Sequence, residues 1–167
     1  MAANMFIHIS DIEGDATEDQ HKKWIVIQSA NWNVERGVEM TDLGSTQRGH
    51  ANSNFGKIEV TSQMGKASND IALSVANGTI RPSIKMHWCR SGDSASAGLL
   101  VYSIWTMKHV VIDSYAISAS EDGIPEETWS LAYVALEHEY KATDQKTGKL
   151  ATKKPNFTWN VQTGKVE

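Results

Sequence analysis

Apolar residues in this chain return at every second position in run after run, and that period admits few folds. From Trp24 to Val34 the even positions carry Trp24, Val26, Ala30, Trp32 and Val34, interrupted by Gln28. The odd positions change from Ile25 and Ile27 to Ser29, Asn31 and Asn33. From about Gln28 onward this is a strand with one dry and one wet face, because side chains alternate across a pleated backbone. Strand-like runs are also expected at Met5–Ser10, Lys57–Thr61, Ile80–Arg90, Leu99–Met107, Val110–Ser118, Trp129–Tyr140 and Asn156–Val161. All six tryptophans (Trp24, Trp32, Trp88, Trp105, Trp129 and Trp159) fall inside these runs. Turn chemistry separates them: SGDSASAG within a hairpin, a change of direction near Lys108–His109, then EDGIP and TDQKTGK.

One segment keeps a different period. In KASNDIALSVANG, Ile71 and Val75 share a helical face with Ala67, Ala72 and Ala76 beside them. Ser68 is the expected N-cap, Asp70 suits the positive end of the helix dipole, and Gly78 can take the left-handed position that ends the helix. The face is short and rich in small residues, which suits a plug at a barrel end or packing on a neighbour. Residues 37–54, GVEMTDLGSTQRGHANSN, hold no period and form an expected long loop. The fold class that follows is mainly β: an antiparallel β-barrel of two packed sheets, one short α-helix and a long extended loop. At 167 residues the chain is expected to be a single domain, 1–167.

Composition removes several function classes. A net charge of −4 offers no basic face for nucleic acid. No apolar run approaches a membrane span, and MAANMFIHIS has neither the basic start nor the apolar stretch of a signal peptide. Cys89 is the one cysteine, so an internal disulfide and a zinc site built on several thiolates are both excluded. The expectation is a protein that folds in the cytoplasm.

The candidate chemical motifs each fail on a residue. Asp11, Glu13 and Asp15 alternate as calcium ligands do, but the required glycine position holds Ala16 and the closing glutamate position holds Lys22. A solvated turn between strands is the expected role of this acidic loop. GDS at Gly92–Ser94 lacks the glycines of an oxyanion hole and sits in a hairpin turn. EHEY at Glu137–Tyr140 would need a second histidine where Ala142 stands. The six histidines are scattered, and GKAS at Gly65–Ser68 lacks the upstream glycine of a phosphate-binding loop. No catalytic, cofactor or metal site emerges, and no enzyme activity is expected.

Several segments, in order, carry a family likeness: FIHISDIEGDATEDQHKKWIVIQSANW, KASNDIALSVANG, SIWTMKHVVIDSYAISAS, GIPEETWSLAYVALEHEY and FTWNV. Together they span about 150 residues of the 167. The chain resembles the haemolysin-coregulated protein (Hcp) family, which forms the tube of type VI secretion systems. The family's opening pattern of strand, Gly-acidic turn, His and Trp-ended strand is matched by Met5–Ser10, Gly14–Asp15, His21 and Trp32. The loop at 37–54 is less glycine-rich than in some members, and the helix lacks a proline often found near its start.

The resemblance implies a structural role. Members form homo-hexameric rings that stack into a tube, and the type VI sheath drives that tube and its spike out of the bacterium. The pore holds effector proteins, and export proceeds without a signal peptide. On this basis Ser29, Asn31 and Asn33 are candidate pore-lining residues, on the wet side of the strand that carries Trp32. Val38, Met40, Leu43, Gln47, Arg48 and His50 are candidates for contacts between stacked rings. Trp32, Trp105, Trp129 and Leu131 are expected in the core. The competing readings are a phage tail-tube-like protein and, from another class, a β-barrel that binds a small molecule in an apolar interior pocket.

Overall fold

The computed structural model describes residues 4–38, 41, 52–92, 98–151 and 156–166. In chain order these residues form β1 (Met5–Ile9), β2 (Ile25–Val26), β3 (Ser29–Asn31), β4 (Val34–Arg36), β5 (Ser53–Phe55) and β6 (Ile58–Gln63). A helix, α1 (Ser68–Asn77), comes next. Then come β7 (Ile80–Ser91), β8 (Leu99–Ser118), β9 (Glu126–Ala132), β10 (Ala135–Tyr140) and β11 (Asn156–Asn160). The main antiparallel sheet runs β2-β1-β7-β8-β9-β6-β3, with β10 and β11 branching from β8, and β4-β5 forms a separate two-stranded sheet.

β8 organises the fold. One edge pairs with β7 from Leu99 to Val111, whereas the other pairs first with β10 (Ser103–Lys108) and then with β9 (Val111–Ser118). The expected reversal at Lys108–His109 does not occur. The chain continues as one strand of 20 residues, with His109 at φ 51°. A single residue in the left-handed region bends a strand without ending it, so β8 can pass from one partner to another.

The segment from Trp24 to Val34 also departs from expectation, because it is three short strands and not one. β2 pairs with β1 and β3 pairs with β6. Between them the Ile27 amide donates to the Met5 carbonyl (3.1 Å) and the Gln28 amide to the Thr61 carbonyl (2.8 Å). The two ends of the sheet path are therefore joined through the chain at Ile27–Gln28, where the backbone changes partner, and not by a continuous strand ladder. Gln28 is the position at which the alternation is interrupted, and the interruption marks this change. The expected run Trp129–Tyr140 likewise divides into β9 and β10.

Alternation places the core. β6 buries Ile58, Val60 and Ser62 and exposes Glu59 and Gln63. Ile7, Ile84, Met107, Ile112, Trp129 and Leu131 are fully buried in the same cluster, with Trp105 at 7% exposure. Trp32 is only half-buried and packs against the cluster from its rim, where its indole N–H donates to the Tyr133 hydroxyl (2.7 Å).

α1 packs on β8 through Ile71, which has no exposure. Gly78 takes φ 66° and its amide donates to the Ser74 carbonyl, closing the helix as expected. Ser68 is not the cap: Ala67 holds that position without a side-chain bond. The Ser68 hydroxyl is used elsewhere, accepting from the Gly65 amide (2.8 Å) and donating to the Glu127 carboxylate (2.9 Å). Tertiary demand from a buried carboxylate overrides the local preference for capping.

Candidate lumen and assembly surfaces

Polar or small positions of β3, β6, β9 and β8 fall into two cross-strand rows, exposed or half-buried except for Ser130, which is buried. Ser29 stands opposite Thr61, Thr61 opposite Thr128, and Thr128 opposite Ala116. Asn31 stands opposite Glu59, Glu59 opposite Ser130, and Ser130 opposite Ser114. These are small hydroxyl, amide and methyl groups with one carboxylate, so the face is wet and offers many hydrogen-bonding groups of low bulk. Asn31 is exposed and Ser29 half-buried on this face.

Asn33 is also exposed, and it lines a shallow pocket of about 330 Å³ with Asn31, Lys57 and Glu59. Asn31 and Asn33 are thus brought together, and Ser29 lies in the next row. Thr61, Glu59, Thr128 and Ser114 belong to the same face but were not singled out from sequence. The signal for Glu59, Thr61 and Thr128 was present in the alternation of IEVTSQ and EETWSLA.

Of the candidates for contacts between rings, Val38 is half-buried. Met40, Leu43, Gln47, Arg48 and His50 lie outside the described residues. The base of that loop is better anchored than its sequence suggests. β4 and β5 pair Val34 with Phe55 and Arg36 with Ser53, so that Ser53 and Asn54, expected in the loop, are strand residues. Phe55 stacks on Trp159 with ring centroids 5.6 Å apart and planes 11° apart. It also lies 6.1 Å from Trp32 and 6.3 Å from Phe157. Aromatic contacts of this kind tie the paired base to β11 and to the rim of the core.

The acidic loop is more than a solvated turn, since its carboxylates are engaged. Asp11 takes a bidentate pair of bonds from the nearly buried Arg81 (2.8 and 3.0 Å), which holds its carboxyl below the usual range. Glu13 accepts from Lys66 (2.7 Å) and Lys23 (2.9 Å), and these bonds pull it down to about 2. Asp15 accepts from the Lys66 amide (2.8 Å).

Behind this loop the histidines are not all scattered in space. The Glu18 carboxylate bonds His21 Nδ1, so that nitrogen carries the proton. His21 Nε2 lies 3.0 Å from His87 Nδ1 and 4.0 Å from Cys89 Sγ. Burial, then the neighbouring His21, Lys85, Lys141 and His8, pushes His87 down to about 4. Burial and Glu18 push the Cys89 thiol up to about 11. A thiol so raised is neutral and a poor nucleophile near pH 7. Among the described residues no group of three His, Cys, Asp or Glu is placed to hold a metal ion. No helix among them is long and apolar enough to cross a membrane.

Open strand edges among the described residues include those of β11 and of the end of β8. β11 pairs only with β10, and the end of β8 beyond its β7 partners pairs only with β9. Ile117 (48%) and Phe157 (38%) expose apolar surface on these strands, and Ile124 (63%) does so in the turn after β8. Open edges with apolar side chains favour a further strand or a neighbouring chain.

Residues 6–140 match a family model described as "Type VI secretion system effector, Hcp". A solved structure of a type six secretion system protein is similar at 26% identity with a TM-score of 0.86, covering 98% of this chain and 99% of that one. Hcp1 from Salmonella typhimurium is similar at 18% identity and a TM-score of 0.77, over 99% of each chain. A type VI secretion system effector from Yersinia pestis follows at 18% and 0.73, covering 95% of this chain and 100% of that one. No curated protein matches the chain.

Proposed function

The chain belongs to the Hcp family of type VI secretion system proteins, and from that membership we propose that it is a tube subunit and not an enzyme. Six copies close into a ring by head-to-tail contacts, rings stack into the inner tube, and the tube leaves the cell with effector cargo in its pore. The observation that carries this reading is the end-to-end likeness to a type six secretion system protein, which covers nearly all of both chains. Two features agree with it. Open edges on β8 and β11 suit heterologous contacts between identical subunits. The wet face of Ser29, Asn31, Thr61 and Thr128 suits a pore wall that must hold varied cargo and release it. Partners on this reading are other copies of the chain, sheath, spike and effectors.

The test is export from the native bacterium. The chain should reach the medium when the contractile sheath is intact and stay in the cell when the sheath gene is deleted, with equal amounts inside both strains. Equal release from both strains would overturn the proposal.

A further inference from the structure

β1 serves two apolar clusters. Ile7 and Ile9 join the main core, whereas Phe6, on the opposite face of the strand, joins a smaller cluster with Ala16 and Cys89. Trp24, Leu99 and Val101 pack around it. The loop between β1 and β2 closes over this second cluster. Its base is held by its own backbone: the Gly14 amide donates to the Lys23 carbonyl (2.8 Å), the Ala16 amide to the Trp24 carbonyl (3.0 Å) and the Lys23 amide to the Ala16 carbonyl (2.9 Å). Lys66 ties the base to the chain before α1 through Glu13 and Asp15.

The tip of the loop, residues 17–22, is fastened differently. His21 is its one buried residue, at 1% exposure. The His21 ring stacks on Phe6 with centroids 4.4 Å apart and meets Trp24 edge-on at 4.8 Å. Glu18 takes the Nδ1 proton, so Nε2 accepts from His87 Nδ1–H at 3.0 Å, and the same ring covers Cys89 Sγ at 4.0 Å. Any further proton on His87 falls on its Nε2 and puts a charge inside the cluster, which burial opposes. His8 from β1, Lys85 from β7 and Lys141 directly after β10 also face the pair, and their positive charge opposes another on His87. Glu18 and the neutral Cys89 thiol complete the titratable surroundings, and Glu18 is already spent on His21. Lys23, between tip and base, stands at φ 64°, a left-handed conformation that a residue with a Cβ adopts at a cost. One histidine thus holds the tip closed against backbone strain.

We propose that the tip is an acid-released latch, which swings His21 out and uncovers Cys89 while the rest of the molecule stays folded. Closed, His87 is held at about 4, by burial first and then by its cationic neighbours. Opened to water it titrates near 6.5. The open form therefore binds the proton first, and the closing contribution is present above about pH 6.5 and lost as pH falls toward 4. At pH 4 the open form gains roughly a hundredfold over its share at pH 7. The base does not follow, because Glu13 is held at about 2 and keeps its ion pairs with Lys66 and Lys23. The latch belongs to the single chain and does not rest on the tube reading.

The experiment follows Cys89, the one thiol of the chain, with 4,4′-dithiodipyridine, which reacts with thiols in acid as well as at neutrality. Rates on the full chain at pH 7 and pH 4 are divided by those on a capped cysteine peptide, which leaves the exposure of the thiol. That ratio should rise roughly a hundredfold on going to pH 4. Amide protection of His21 and Trp24, which donate to the Glu18 and His21 carbonyls, should fall with it, whereas that of β6 and β9 should hold. His87→Asn keeps an N–H where Nδ1 stands and cannot take up a proton, so it should remove most of the rise. Glu13→Gln, at the base, should leave the rise in place. If His87→Asn does not fold, His87→Gln replaces it, and the exchange data on the unaltered chain stand by themselves. The proposal is overturned if Cys89 is equally protected at both pH values, if β6 and β9 lose protection together with the tip, or if the rise survives in the folded His87 variant.

Discussion

At the scale of single residues, burial sorts the tryptophans. Trp129 has no exposure and spends its indole N–H on Ser62, whereas Trp32 is half-buried at the rim. Trp129→Ala should cost about 3–5 kcal/mol, a large part of the roughly 5–15 kcal/mol that holds a domain together. Trp32→Ala should cost less, since part of its ring already faces solvent. Urea denaturation of both variants checks the order, and equal losses would contradict it.

Acid sensitivity is also a residue property here. His87 is pushed down to about 4 by burial and then by His21, Lys85, Lys141 and His8, with Cys89 and Glu18 packed around the same His21. The unfolded chain, titrating near 6.5 at this position, therefore binds the proton first. The stabilising contribution is present above about pH 6.5 and is lost as pH falls toward 4. Glu13, held near 2 by Lys66 and Lys23, adds a loss that begins lower, as pH falls below its ordinary 4.5. Melting temperature should fall between pH 6.5 and 4, and His87→Gln should flatten that slope. A slope identical to the parent's would remove His87 from the account.

At the scale of elements, the helix is held by a buried carboxylate more than by its own cap. Glu127 accepts from Ser62 (3.2 Å), Ser68 (2.9 Å) and Tyr115 (2.6 Å), joining β6, α1, β8 and β9 at one point. Glu127→Ala should leave three hydroxyls without their acceptor and raise amide exchange throughout α1 ahead of the sheet. Exchange that rises uniformly would argue against a local lock.

What the sequence made legible follows from the same distinction between local and distant causes. Period-two alternation located most strands and the exposed position Asn31, and Gly78 marked the helix end. Ser68 read as a cap because the cue is local, but its real partner, Glu127, is 59 residues away. The change of partner at Ile27–Gln28, the bend at His109 and the pairing of β4 with β5 depend on neighbours that periodicity does not name. The carboxylates of the opening loop read as solvated for the same reason, since Arg81 and Lys66 reach them from distant parts of the chain.

At the scale of the whole molecule, the account turns on assembly. Among the described residues a single copy leaves the edges of β11 and of the end of β8 unpaired and presents apolar Ile117 and Phe157 on them. A closed ring covers such edges with the next copy, and rotation that closes prevents runaway growth within the ring. The measurement that bears most directly on this is negative-stain electron microscopy of the purified chain, with sedimentation on the same sample. The account predicts uniform rings of six subunits around an open pore, and a single species of matching mass. A stable monomer at tens of micromolar protein, with no rings in the images, would contradict it.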